Sequence, residues 1–192
     1  LILKERGELM NTAVKPNETG MAAIIGKNSF EIQDIIKSNK LNIEIANDNS
    51  PLQVVVSGEL KEIIESEEIF LKNGVKRYVR LNVSAAFHSK YMLGAQNKLN
   101  EHIDNISFNE NDIQIISNYS AINSNTTKNI IDSLKNQMSN KVRWTESILK
   151  LAELGETNIV EIGPGNVLSG LIKRISSDFN IETVSKISDM NK

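Results

Sequence analysis

Residues 20–83 constrain the fold more than any other stretch of this chain. Met21-Ala22-Ala23-Ile24-Ile25 is a short apolar run of strand length. Ser29 is placed to cap a helix carrying Phe30, Ile32, Ile35 and Ile36, with Glu31 in its first turn. Leu41-Asn42-Ile43-Glu44-Ile45 alternates at period two, the pattern of a half-buried strand. Asn47-Asp48-Asn49-Ser50-Pro51 has the composition of a turn, and Gln53-Val54-Val55-Val56-Ser57-Gly58 reads as a buried strand. Residues 60–73 carry Ile63, Ile64, Phe70 and Leu71 on one helical side and stop at Gly74. Residues 77–83 make a fourth strand. The order β-α-β-β-α-β is the ferredoxin-like pattern, a unit able to close on its own core.

The flanking regions read differently. Residues 1–14 repeat Leu3, Met10 and Val14 at helical spacing, and Pro16-Asn17-Glu18-Thr19-Gly20 ends that helix. After residue 89, Met92, Ala95, Leu99, Ile103 and Ile106 mark one helix face. A strand is expected at residues 112–117. A helix capped by Thr127 follows, with Ile130, Ile131, Leu134 and Met138 inward. The next begins at Val142-Arg143-Trp144, with Ile148, Leu151 and Leu154 inward and Gly155 as its stop. Residues 158–162 read as a buried strand, 167–176 as a last helix and 181–187 as a last strand. Strands alternating with helices fit a parallel sheet with covering helices, yet two or three strands are few for at least four helices. With no methionine at its start, the chain reads as a piece of a longer protein whose other strands lie upstream.

Bulk properties exclude several classes. With 24 acidic and 22 basic residues the net charge is −2, so no basic field for nucleic acid exists. The absence of cysteine removes disulfides, thiolate metal sites and a cysteine nucleophile. No apolar run reaches the roughly 18–20 residues of a membrane span. A soluble, cytoplasmic protein without membrane or nucleic-acid partners is the expectation.

The candidate chemistry centres on Ser84-Ala85-Ala86-Phe87-His88-Ser89-Lys90-Tyr91-Met92. It holds one of the two histidines. Small and apolar residues precede His88, which places the ring in a cleft as a general base. No Gly-x-Ser-x-Gly elbow is present to serve it. His102 falls on a polar helix face, and neither histidine has acidic neighbours at ligand spacing, so no metal site is expected. Arg6 sits on the first helix beside Gly7, a costly helix residue that suggests close approach of something to the backbone. Glu161-Ile162-Gly163-Pro164-Gly165 joins a strand to a helix. It has neither the dinucleotide nor the P-loop spacing. It is similar to the first motif of S-adenosylmethionine-dependent methyltransferases, a remote alternative, and otherwise reads as a tight turn that lets a helix pack close to its strand.

Six blocks occur in order: Arg6-Gly7-Glu8-Leu9-Met10; Thr19-Gly20-Met21-Ala22-Ala23-Ile24-Ile25-Gly26; Asn47-Asp48-Asn49-Ser50-Pro51 with Gln53-Val54-Val55; the His88 stretch; Val142-Arg143-Trp144; and Glu161-Ile162-Gly163-Pro164-Gly165 with Val167-Leu168 and Gly170-Leu171. Together, over residues 1–174, they resemble the malonyl-CoA:acyl carrier protein transacylases, and the chain looks like the C-terminal portion of such an enzyme. The resemblance implies an α/β fold: a partial α/β-hydrolase-like large subdomain at residues 1–18 and 84–192, with an inserted ferredoxin-like small subdomain at 19–83. It implies that the nucleophilic serine and an oxyanion-hole loop lie outside this chain, before residue 1.

By the same resemblance, malonyl passes from malonyl-CoA to the pantetheine thiol of acyl carrier protein in fatty acid biosynthesis, by ping-pong chemistry and without a cofactor. His88 matches the base, oriented by backbone carbonyls, one of them near Leu154. Arg6 matches the residue that forks onto the malonyl carboxylate, and Phe87 the residue that limits acyl size. Lys76 and Arg77 match positions that dock an acidic carrier protein, though two solvated charges at a strand start account for them equally well. Asn49 falls in a motif near the cleft without an assignable role. The different-class alternative is an inactive remnant, or a split-gene half acting only with a separate chain that supplies the serine.

Overall fold

The structure is a computed structural model and describes residues 2–110 and 112–191. Helix α1 (Ile2–Asn11) is followed by β1 (Thr19–Ile25), α2 (Ser29–Ser38), β2 (Ile43–Ser50), β3 (Gln53–Glu59), α3 (Leu60–Lys72) and β4 (Arg77–Arg80). A 3-10 turn (Lys90–Met92) leads into α4 (Leu93–Asp104). Then come β5 (Ile115–Ile116), β6 (Asn123–Ser124), α5 (Thr127–Asn136), α6 (Trp144–Glu153), β7 (Asn158–Ile162), α7 (Val167–Ile175), β8 (Asn180–Val184) and a 3-10 segment (Ile187–Asn191). Leu1, the expected start of the first helix, lies outside the described residues.

The first four strands form one antiparallel sheet in the order β2-β3-β1-β4. Strand alternation sorts its side chains onto two faces. Ala22, Ile24, Val54, Val56 and Tyr78 meet Ile32, Ile35 and Ile36 of α2 and Ile63 and Phe70 of α3. Phe70 is fully buried and stacks on Tyr78 at 5.7 Å between ring centroids. The Tyr78 hydroxyl donates to Ile63 O at 2.7 Å, and burial pushes its pKa up to about 12. The other face, built from Met21, Ala46 and Val55, is covered by Val83 and Phe87. The sheet is thus apolar on both faces, and the second face rests on the histidine loop.

The remaining elements carry two further cores. α1 and α4 enclose Met10, Ala85, Met92, Ala95, Leu99, Ile103 and Met138. α6, α7, β7 and β8 gather around Ile148, Ile172 and Phe179. β7 and β8 run parallel and pair only with each other among the described residues.

Several expectations need correction. Residues 47–50 belong to β2 and are not a turn, because Asp48 N donates to Val142 O and Val142 N to Ala46 O, giving this edge a partner from far along the chain. The strand absorbs its polar composition through register shifts at 45–47 and 48–50. Asn28, not Ser29, caps α2, in a reciprocal capping box with Glu31, and Thr126, not Thr127, caps α5. α4 ends before Ile106, β4 ends at Arg80, and the strand expected at 112–117 shrinks to Ile115–Ile116.

β7 is not a buried strand: Val160 is 51% and Ile162 81% exposed, because only the Ile159 side faces a packed helix layer. Leu134 and Leu154 are also exposed. Nothing among the described residues lies within 4 Å of a Cβ built on Gly7, Gly163 or Gly165, so close packing does not explain those glycines. Gly163 and Gly165 instead have φ of +146° and +89°, conformations that L side chains resist.

Candidate active site

The loop between β4 and α4 is held by bonds to β1 and α1 and by bonds within itself. The Ala86 N–H donates to Thr19 Oγ1 at 2.9 Å, anchoring the loop to the start of β1. Ser84 Oγ donates to Asn11 Oδ1 at 2.9 Å, tying it to α1. Buried Ser89 donates its hydroxyl to Ala86 O at 2.6 Å, and Met92 N donates to Ser89 O. Ala85 and Ala86 are fully buried, and a larger side chain there would collide with the cores on either side. Phe87 packs between those cores, touching the Met10–Met92 group and the Met21–Val55 group. These constraints hold His88 in the left-handed region, φ +56°, which a non-glycine residue keeps only when its surroundings impose it.

His88 is half-buried, and its Nδ1 lies 3.1 Å from Gln137 O. A carbonyl can only accept, so Nδ1 carries the proton, and Nε2 keeps a lone pair that no hydrogen bond engages among the described residues. Burial is the main influence on the ring and lowers its pKa, and the nearby Arg6 charge lowers it further. The carbonyls of Gln137 and Asn140 act the other way. The balance keeps the imidazole neutral near pH 7, the state a general base requires. Sequence reasoning placed the orienting carbonyl near Leu154. Leu154 stands at the exposed end of α6, its N–H bonded to Lys150 O, and the carbonyl found at His88 Nδ1 is that of Gln137. No side-chain signal marks such a residue, since every residue carries a carbonyl.

Arg6 projects from α1 and is half-buried, and desolvation lowers its pKa. Among the described residues it has no hydrogen bond or ion pair, although Lys4 pairs with Glu8 on the same helix. A desolvated guanidinium without a carboxylate partner is a ready site for an anionic group. Its charge is close enough to contribute to the lowering of the His88 pKa.

His88 opens on a cleft of about 970 Å³ between β2 and the start of α6. Asp48 spans its floor: Oδ2 accepts from Ser29 Oγ at 2.6 Å and Oδ1 from Thr145 Oγ1 at 2.8 Å. The Val142-Arg143-Trp144 block closes one end. Val142 bridges to β2, and Arg143 pairs with Glu146 through two nitrogens and donates to Ser120 O. Asn49 sits at a register shift of β2, so it is turned relative to a regular strand.

Other predicted residues stand apart from this cleft. Lys76 and Arg77 are exposed at the start of edge strand β4, without an ion pair among the described residues. His102 is exposed, with Glu5 at 4.0 Å. At the glycine turn, Glu161 accepts from the N–H groups of Leu168 and Ser169 and from Ser169 Oγ, at 2.5–3.0 Å. The N-terminus of α7 is therefore filled by a carboxylate of the chain itself, and a cofactor phosphate would have to displace it.

The comparisons with known proteins point the same way. The family model described as acyl transferase domain matches residues 2–192. A malonyl CoA-acyl carrier protein transacylase of Bacillus subtilis is 38% identical over 186 residues, covering 95% of this chain and 59% of that protein. The polyketide biosynthesis protein PksE of the same organism is 40% identical over 179 residues, 92% of this chain and 23% of its own length. The crystal structure of an acyl carrier protein S-malonyltransferase from Vibrio cholerae superposes with a TM-score of 0.93 at 30% identity, over 99% of this chain and 63% of that one. The chain thus spans about three-fifths of the length of the transacylases it matches. A family match from Ile2 onward, and a mixed α/β fold shared with the malonyltransferase structures, establish that this chain belongs to the acyl transferase domain family.

Proposed function

We propose that this chain supplies the base and the carboxylate clamp for malonyl transfer from malonyl-CoA to the pantetheine thiol of an acyl carrier protein. The single observation that carries the reading is His88 Nδ1 lying 3.1 Å from Gln137 O, with the half-buried Arg6 unpaired among the described residues. Nε2 accepts the proton of a serine as its oxygen attacks the thioester carbonyl. The tetrahedral adduct collapses, the C–S bond breaks, and the same proton goes to the departing CoA sulfur. In the second half-reaction the carrier thiol gives its proton to Nε2 and attacks the acyl-serine ester. The serine oxygen leaves and takes that proton back. Arg6 pairs with the malonyl carboxylate throughout. Phe87, fixed between two cores, sets the room beside the α-carbon.

The serine belongs to a segment outside this chain. Supporting this, Ser89 and Ser139 near His88 spend their hydroxyls on Ala86 O and Gln96 Oε1. Val160, Ile162 and Val167 also leave apolar surface, 51–81% exposed, that a further segment would cover. In that arrangement residues 19–83 form a ferredoxin-like small subdomain inserted in a hydrolase-like one. Lys76, just before edge strand β4, and Arg77 and Arg80 on it give an acidic carrier protein a basic surface to approach. One structural relative is a type II polyketide acyl-carrier protein bound to its malonyl-transacylase, with a TM-score of 0.92. Fatty acid and polyketide assembly share the step proposed here.

The test uses two proteins, each given labelled malonyl-CoA and holo acyl carrier protein. One is this chain alone. The other is a chimera in which this chain replaces the matching residues of the Bacillus subtilis transacylase. Transfer by the chimera and none by the chain alone is expected. Transfer by the chain alone would refute the placement of the serine, and an inert but folded chimera would refute the function.

A further inference from the structure

We infer that Gln96 is a positioning residue for His88, acting through the turn at residues 137–140, an assignment that rests on the reading of His88 as the base. Gln96 lies one turn into α4, the helix that the histidine loop enters, and is 6% exposed. Its Oε1 accepts twice from Ser139, from the backbone N–H at 3.0 Å and from the hydroxyl at 2.7 Å. Ser139, also buried, sits inside a turn whose two ends face the imidazole. Gln137 O meets Nδ1, and Asn140 O adds a second favourable carbonyl. The turn closes on itself through Asn140 N to Gln137 O and Gln137 Nε2 to Asn140 O. Met138 is fully buried in the same core as Ala95 and Leu99.

α4 therefore governs both members of the His88–Gln137 pair. It extends the loop that carries the ring, and through Gln96 it grips the turn that carries the carbonyl. Asn100, one turn further along, strengthens the grip: with its amide nitrogen inward it donates to Gln96 O and Lys135 O, each at 3.1 Å, just before the turn begins. The chemistry suits glutamine. A neutral oxygen with two lone pairs can satisfy two converging donors without burying a charge. An apolar side chain of equal length would leave the Ser139 N–H unpaired and its hydroxyl proton without an acceptor, although Asn140 Nδ2 would still donate to the hydroxyl oxygen at 3.2 Å, and the turn would have to move to hydrate the N–H.

The test reads the imidazole directly, in this chain, by nitrogen-15 NMR of the histidine rings, with exposed His102 as internal reference. Gln96→Met is expected to stay folded, to lose the predominance of the Nδ1–H tautomer at His88, and to lower the His88 pKa further as the carbonyl bond weakens. Ser139→Ala, which removes only the hydroxyl donor, should shift both readouts the same way by less. A folded Gln96→Met protein with wild-type His88 nitrogen shifts and titration would overturn the assignment. If that variant fails to fold, Ser139→Ala with unchanged shifts and titration overturns it equally. In the active chimera, Gln96→Met should cut turnover by about tenfold or more at unchanged KM, the scale set by small misplacements of a catalytic group. An altered tautomer with undiminished transfer would support the positioning and refute His88 as the base.

Discussion

Asp48 holds the two walls of the His88 cleft together, so its removal should be costly in a calculable way. It is 6% exposed and accepts from Ser29 Oγ on α2 and Thr145 Oγ1 on α6, residues 19 and 97 positions away. Hydrogen bonds to a carboxylate contribute about 1.5–3 kcal/mol each, or about 3–6 kcal/mol for the pair. Part is recovered in Asp48→Ala, because both hydroxyls are half-buried beside the cleft and can rehydrate, and a carboxylate no longer needs burying. A net loss of about 2–4 kcal/mol follows, which for a chain of this size lowers Tm by about 4–16 °C. Asp48→Asn can accept from one hydroxyl and donate to the other. It gives up only the charge assistance and should cost about 1 kcal/mol. Urea denaturation followed by circular dichroism gives both values, and a cycle with Thr145→Val should show a coupling of about 1–2 kcal/mol. A loss below about 0.5 kcal/mol for Asp48→Ala, or additive Asp48→Ala and Thr145→Val effects, would refute the reasoning.

Two further predictions concern the site residues. In the active chimera, Arg6→Ala should weaken malonyl relative to acetyl transfer by about 10- to 150-fold, the equivalent of about 1.5–3 kcal/mol for one charged hydrogen-bonded pair. Equal losses on both acyl groups would remove Arg6 from carboxylate recognition. Burial holds the folded His88 pKa below its ordinary value, so between that folded value and the unfolded value of about 6.5 the unfolded state binds more protons. Stability should therefore rise with pH across this window and be lost on acidification through it. Urea midpoints measured from about pH 5 to 7.5 should show this slope, and His88→Gln should flatten it.

What was legible in the sequence followed periodicity and local chemistry. Alternation in residues 20–83 found each strand and helix of the antiparallel sheet, since both of its faces are apolar and its helices carry a regular stripe. Errors arose where a distant contact overrode composition. Asn47 to Ser50 has every mark of a turn, but Val142 supplies strand partners from almost a hundred residues away. β7 is apolar enough to be buried, yet whether a strand is covered depends on its neighbours, and among the described residues only β8 pairs with it.

The site divided in the same way. His88, Arg6 and Phe87 stand out by residue type and by motif. Gln137 contributes a backbone carbonyl, and Gln96 acts from a helix face that reads as ordinary polar surface, so neither has a signature in the sequence. Local pattern put the cap of α2 one residue late, at Ser29 in place of Asn28, and gave no sign that Glu161 occupies the place at α7 that a phosphate would take.

The most direct test of the account is malonyl transfer by the Bacillus subtilis chimera carrying His88→Ala. Loss of the base should lower turnover by about 10²- to 10⁴-fold while malonyl-CoA binding persists. A His88→Ala chimera that transfers malonyl at the unsubstituted rate would contradict the account at its centre.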